Sequence, residues 1–307
     1  MRIVYMGTPQ FAATVLAGIC DAGHHVVGVV SQPDRPKNRG MQMVPTAVKA
    51  EALKRGLPVF QPETLKNEAI KPYLEEMQPD IIVVVAYGRL LPQYVLSYPK
   101  YGCINMHASL LPKYRGAAPI QWSIINGEKE TGVTAMYMEA GLDTGDMILQ
   151  KKTPISPSDT AETLHDRLAE MATETAIETL MQIAAGTDMR QKQDDNLASY
   201  APLLEKDTGK VDWTKSAGAI VNLIRGLSPR PGAYSFWNQE RIKILSAKET
   251  VGCGKPGEVL ENKGRLVVAT GDGAIEITAL QLSGKRAMEA SAFLQGNKIE
   301  KQTIIGA

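Results

Sequence analysis

The stretch DIIVVVAYG, Asp80 to Gly88, decides how the fold is read. It stays apolar from Ile81 to Ala86, without the alternation of a strand that has one wet face, so it predicts a strand buried on both sides. Such a strand belongs in a parallel sheet covered by helices. The flanking sequence supplies both kinds of element. RIVYM (2–6) and HVVGVVS (25–31) read as strands, and between them a helix runs through Phe11, Val15 and Ile19 and stops at Gly23. A second helix follows Pro45 to about Arg55, and NEAIKPYLEEM (67–77) reads as a third, interrupted or bent near Pro72. GCINMH (102–107) and GVTAMYM (132–138) complete the central strands. The alternation predicts an α/β fold with a Rossmann-like, mostly parallel sheet and crossover helices.

From Thr160 to Ala185 apolar residues recur at Leu164, Leu168, Met171, Leu180 and Ile183, the spacing of a long amphipathic helix that Gly186 terminates. GTDMRQKQDDNLASYAP (186–202) is polar and without period, and it predicts a linker. Beyond it SAGAIVNLIRGL (216–227) reads as one helix. The runs AYSFWN (233–238), RIKILSA (241–247), GEVLEN (257–262), RLVVAT (265–270) and AIEITALQLS (274–283) are short strands punctuated by Gly, Pro and Asn. Strands of that length in close succession predict a small OB-like β-barrel domain. The expected division is a catalytic domain over 1–189, a linker over 190–206 and an OB-like C-terminal domain over 207–307.

Composition excludes little. At 307 residues with 44% hydrophobic content the chain can bury sizeable cores, and a net charge of +1 gives no global pull toward a polyanion, so any nucleic-acid contact must come from local basic patches. Three dispersed cysteines, Cys20, Cys103 and Cys253, fit a reducing, cytoplasmic setting better than a disulfide framework. No run approaches the ~18 apolar residues of a membrane span, and the N-terminus enters a strand without a leader pattern. His24, His25, His107 and His165 have no metal-ligand spacing, so no metal is expected. MGTPQFA (6–12) carries one glycine where a dinucleotide loop would carry three, which disfavours such a cofactor; Thr8 suits an N-cap and Pro9 the first helical position.

The chemistry concentrates in GCINMHASLLPKYRGAAPIQW (102–122). Side chains two apart on a strand share a face, so Asn105 and His107 address one ligand at a strand's carboxyl end, where open α/β sheets bind theirs. After the next strand, EAGLDTGDM (139–147) places Asp143 in a tight turn, within reach of His107 if the two strands are neighbours. Taken singly, each of these residues is more often structural. Together they suit acyl transfer without a covalent intermediate: His107 moves protons, Asp143 orients and stabilises the ring, and Asn105 donates to a developing oxyanion. Ser109 reads as a loop hydroxyl rather than a nucleophile, since no nucleophile elbow surrounds it.

The pattern N-x-H-x-S-L-L-P-x-x-x-G at Asn105 to Gly116, with GLDTGDM downstream, resembles the folate-dependent formyltransferase superfamily. MGTPQFA, QPDRPKNRG, RGAAPIQWSI and IRGLSPRPGAY extend the likeness over essentially the whole chain, toward the branch that formylates methionyl initiator tRNA. That resemblance implies 10-formyltetrahydrofolate as co-substrate and methionyl initiator tRNA as acceptor. It also implies Asn105, His107 and Asp143 as the catalytic trio, and Ser109, Leu110, Leu111 and Pro112 beside the folate. Arg35, Lys37 and Arg39 in the loop Pro33 to Pro45 become tRNA contacts, with Lys206, Lys210, Arg225, Lys285 and Arg286 as further cations on the second domain. A monomer is expected. Trp213 and Trp237 read as packed aromatics rather than base platforms. The rival readings are transfer to a small amine such as glycinamide ribonucleotide or an amino sugar, formyl-folate hydrolysis, and a non-enzymatic RNA-binding protein.

Overall fold

The computed structural model describes residues 1–37 and 42–306. Contacts divide the chain into two units, one of Met1–Pro119, Glu130–Pro154 and His165–Pro202, the other of Ile120–Lys129, Ile155–Leu164 and Leu203–Ala307. The strands of the first unit are β1 (Arg2–Gly7), β2 (His25–Val30), β3 (Arg35–Lys37), β4 (Gln42–Val44), β5 (Val59–Phe60), β6 (Ile81–Val85), β7 (Cys103–His107), β8 (Arg115–Gly116), β9 (Glu130–Tyr137), β10 (Met147–Pro154) and β11 (Tyr200–Ala201). Seven form the central sheet in the order β10-β9-β7-β6-β1-β2-β5. The β5-β2-β1-β6-β7 pairings are parallel, whereas β9 and β10 join antiparallel.

The continuous apolar run of β6 is explained by its place: Ile81 to Val85 are buried throughout, between β1 and β7. Val4, Met6, Val30, Leu74, Ile82, Val84 and Val95 pack into one core with Tyr87 and Cys103. Phe11, Val15, Leu16 and Ile19 are the buried side of the helix Gln10–Asp21.

The second unit contains β12 (Ala233–Trp237), β13 (Glu240–Thr250), β14 (Val259–Glu261), β15 (Leu266–Ala269), β16 (Ala274–Leu282) and β17 (Met288–Glu289). They form an antiparallel sheet, β12-β13-β16-β15-β14 with β17 on β16, in which register shifts at Ile244 to Ala247 add local twist. The small OB-like barrel domain expected from the sequence is built on this sheet, curled into a half-barrel. Ile220 and Ile224 of the helix Ala217–Gly226 fill it with Ile242, Ile244, Val268, Ile277 and Phe293. Trp213 and Trp237 are packing groups: Trp213 donates to Ser235 Oγ at 2.9 Å and Trp237 meets Phe293 edge-on.

Two local expectations change. The third helix begins only at Lys71, because Asn67 and Glu68 adopt positive φ, and Pro72 starts the helix rather than bending it, at a position where a missing N–H costs nothing. Thr8 does not cap the first helix: Pro9 occupies the cap and the Thr8 hydroxyl is spent on the Tyr87 carbonyl at 3.1 Å. The polar segment after Gly186 is bound along its length. Gln191 exchanges backbone hydrogen bonds with Met147, Ser199 O accepts from Arg115 N, and β11 pairs with β8.

A β-carbon at Gly116, where φ is +120°, would lie 2.7 Å from Ala201 O, so Gly116→Ala should cost the first unit about 2 kcal/mol or more in denaturant unfolding; an unchanged midpoint would contradict the close approach. Burial pushes the Cys103 thiol up to about 12, leaving about one thiolate in ten thousand at pH 8. Alkylation at that pH, read by peptide mass, should label exposed Cys253 first and Cys103 only after unfolding.

Candidate active site

The loops that follow β1, β2 and β6 meet at one edge of the sheet, where Thr8 Oγ1 and Gln32 Nε2 both donate to the Tyr87 carbonyl, at 3.1 and 3.2 Å. β7 runs parallel to β6 and ends at this edge with His107. β9 lies antiparallel beside β7, pairing His107 with Thr134 and Ile104 with Tyr137, so it ends beside the start of β7, and the turn beyond Tyr137 folds back to bring Asp143 Oδ2 within 3.6 Å of His107 Nδ1. The strand adjacency that brings Asp143 to His107 is therefore present.

His107 is 6% exposed and Asp143 12%. The Nε2 of His107 is 2.8 Å from the Tyr114 carbonyl, and a carbonyl only accepts, so Nε2 carries the proton. That fixes the tautomer. It also leaves the Nδ1 lone pair, in the neutral ring, facing Asp143 Oδ2 at 3.6 Å. Asp143 Oδ2 stands at ion-pair distance from a protonated ring though beyond a hydrogen bond, and the hydrogen-bonded partner of the ring is the Tyr114 backbone carbonyl. Asp143 Oδ2 is itself held by the Gly116 N–H at 2.8 Å, and Asp143 sits at a positive φ of 53°.

Asn105 is half-buried, and its carboxamide has no hydrogen-bond partner among the described residues. Ser109 is fully buried and donates to Lys113 O at 2.6 Å, so its hydroxyl braces the loop rather than facing a ligand. Leu111 is buried too, clustered with Met136 and Met147. Of the four residues expected beside the folate, Leu110 and Pro112 keep the most accessible surface.

Four residues with no role expected from sequence support this arrangement. Thr134 Oγ1 donates to Ser109 O at 2.7 Å and accepts from Leu111 N at 3.1 Å. Gln150 Nε2 reaches both Leu111 O and Thr134 Oγ1. On the other side Arg115, 2% exposed, donates to Gln193 Oε1, whose amide nitrogen donates to the carbonyls of Asp143 and Gly145. Polar residues at these spacings carry no periodic signal.

Arg35 is exposed on β3, which pairs with β4 as a hairpin. The hairpin's base is tied by Lys49 to Asp34 and Gln61, with Gln61 Nε2 returning to Asp34 and Gln32. Lys37 belongs to β3, whereas Arg39 lies outside the described residues. In the second unit Lys206, Lys210, Lys285 and Arg286 are exposed, but Arg225 is spent internally on the carbonyls of Ser156 and Asp159, both at 3.1 Å. A cavity of about 370 Å3 opens in the first unit between residues 63–66 and 89–92. Among the described residues no three His, Cys, Asp or Glu side chains gather at one point, and no helix is long and apolar enough to cross a membrane.

Residues 1–180 match the formyl transferase family model and residues 203–298 the formyl transferase C-terminal domain. The methionyl-tRNA formyltransferase of Citrifermentans bemidjiense is 47% identical over 307 residues, spanning 100% of this chain and 96% of that protein. The protein of the same name from Pseudomonas putida is 50% identical over 299 residues, spanning 97% and 96%. Among solved structures, the N-formyltransferase from Helicobacter canadensis, in complex with folinic acid and dTDP-3-aminofucose, superposes with a TM-score of 0.68 at 23% identity, covering 90% of this chain and 98% of its own. HypX from Aquifex aeolicus with tetrahydrofolic acid gives 0.67 at 19% identity, covering 99% of this chain and 50% of its own. These two likenesses establish a shared fold, and the two family matches with the full-length relatives place the chain in the formyl transferase family.

Proposed function

We propose that the protein is an enzyme with methionyl-tRNA formyltransferase activity, moving the formyl group of 10-formyltetrahydrofolate to the α-amine of methionyl initiator tRNA. Full-length identity of about 47% to proteins of that name supports the substrate pair. The observation that carries the chemistry is the fixed His107 tautomer, with a free lone pair on Nδ1 and, on the same strand face, an Asn105 carboxamide unpaired among the described residues.

In this reading the amine nitrogen attacks the formyl carbon and the carbonyl electrons move onto oxygen, where the Asn105 N–H groups donate to the developing charge. His107 Nδ1 takes the proton that the amine sheds, and the imidazolium formed there faces the Asp143 carboxylate. The proton then passes to the folate N10 as the carbon–nitrogen bond to it breaks, releasing tetrahydrofolate and formylmethionyl tRNA. Leu110 and Pro112 border the donor, with Ser109 and Leu111 shaping the loop from beneath. Arg35, Lys37 and Arg39 meet the acceptor end of the tRNA, where an arginine fork pairs well with phosphate. Residues 1–189 carry the chemistry and 207–307 the RNA-side role, joined by 190–206. The enzyme works as a cytoplasmic monomer, a setting its unpaired cysteines fit.

Labelled formyl transfer, offered methionyl initiator tRNA, glycinamide ribonucleotide, an amino sugar and water in parallel, tests the reading. Label should reach the tRNA-linked methionine; release as formate or transfer to a small amine alone would overturn it. His107→Ala should lower kcat by about 10²- to 10⁴-fold, and Asn105→Ala by about 10²- to 10³-fold, with tRNA binding retained in both.

A further inference from the structure

The Gln193 carboxamide uses all of its hydrogen-bonding capacity. Nε2 donates to Asp143 O and to Gly145 O, both at 2.8 Å, and Oε1 accepts from Arg115 Nε at 3.0 Å and Nη2 at 2.8 Å. A guanidinium only donates and a carbonyl only accepts, so this orientation of the amide is forced. The contacts close a ring. From Gln193 the path runs through the Arg115 side chain to its backbone neighbour Gly116, whose N–H holds the Asp143 carboxylate at 2.8 Å, and from Asp143 O back to Gln193. Gly145 is pinned in the same turn, where a β-carbon would collide with Tyr137 O. Arg115 is anchored on its outer side by Asp195, from the same late segment as Gln193.

We propose that Gln193 is a positioning residue for the reaction: it sets where the Asp143 carboxylate stands relative to His107 Nδ1, and so gives residues 190–206 a part in formyl transfer. The inference rests on the functional reading above for its kinetic consequence. Its geometric content stands on the ring alone.

Gln193→Glu separates positioning from bulk. Glutamate keeps the acceptor for Arg115 but has no N–H for the two carbonyls, which it repels. The variant should stay folded, with Tm lowered by no more than about 5 °C, and show kcat reduced roughly tenfold to a hundredfold, with KM for both substrates within about twofold. In an Asp143→Asn background the same change should cost less than about twofold more, because the group it positions has already lost its charge. Gln193→Met, which removes donors and acceptor together, should be impaired at least as much. Wild-type kcat in Gln193→Glu, or an equal loss in the Asp143→Asn background, would overturn the proposal. A substrate-free measurement decides it independently of the enzymatic reading. The 15N resonance of His107 Nδ1 should move in Gln193→Glu, and should move much less when the same substitution is made on Asp143→Asn, since the shift is carried by the Asp143 carboxylate that faces that nitrogen. A resonance left at its wild-type position would overturn the inference even if formyl transfer is confirmed.

Discussion

The hydrogen bond from His107 Nε2 to the Tyr114 carbonyl, 2.8 Å long, commits the imidazole to one tautomer, and the rest of the site is organised around that commitment. A side-chain acceptor could rotate away or take up a proton. A backbone carbonyl can do neither, so the constraint passes to whatever fixes the Tyr114 peptide. Tyr114 has a positive φ of 62°, and its N–H donates to Ser199 Oγ at 3.0 Å. Ser199 N in turn donates to Pro112 O, and Ser199 O accepts from Arg115 N. The proton on a ring in β7 is thus dictated by a segment more than eighty residues downstream.

With Nε2 occupied, Nδ1 is the nitrogen that the proposed transfer uses, and in that proposal Asp143 acts through charge rather than through a hydrogen bond to the resting ring. Unit charges about 4 Å apart attract by about 4 kcal/mol at an effective dielectric constant near 20. A carboxylate 3.6 Å away stabilises the protonated ring without competing for the lone pair that accepts the proton. The Gly116 N–H makes this possible, because it satisfies the carboxylate from another direction. The residue that contributes least side chain to the loop thereby decides where its charge rests.

Much of the first unit was legible because burial writes itself into composition. β6 is apolar at every position since both its faces are covered, and the helix Gln10–Asp21 shows its buried stripe at Phe11, Val15 and Ile19. The co-facing of Asn105 and His107 followed from strand periodicity alone. The tautomer did not, because it depends on a backbone carbonyl, and every residue carries one whatever its side chain. β8, β11 and the Met147–Gln191 pairing were illegible for a related reason: two-residue strands have no period to detect. Arg225 misled by type, since a cation that satisfies two carbonyl oxygens within its unit looks the same in sequence as one that faces solvent.

The segment 186–202 shows how a stretch can read as a tether and serve as structure. A tether and a strap are both polar, the first because it is solvated and the second because its work is to satisfy backbone donors and acceptors elsewhere. Gln193, Asp195 and Ser199 bury little apolar surface, yet each is spent on the loop after His107 or the turn around Asp143. Loops at the carboxyl edge of an α/β sheet leave many peptide groups unpaired, and an apolar cover would strand them without partners. A polar strap solves that problem at the cost of any hydrophobic signature. The lack of period that marks residues 186–202 as a linker is therefore the composition that holding the Asp143 turn by its carbonyls requires.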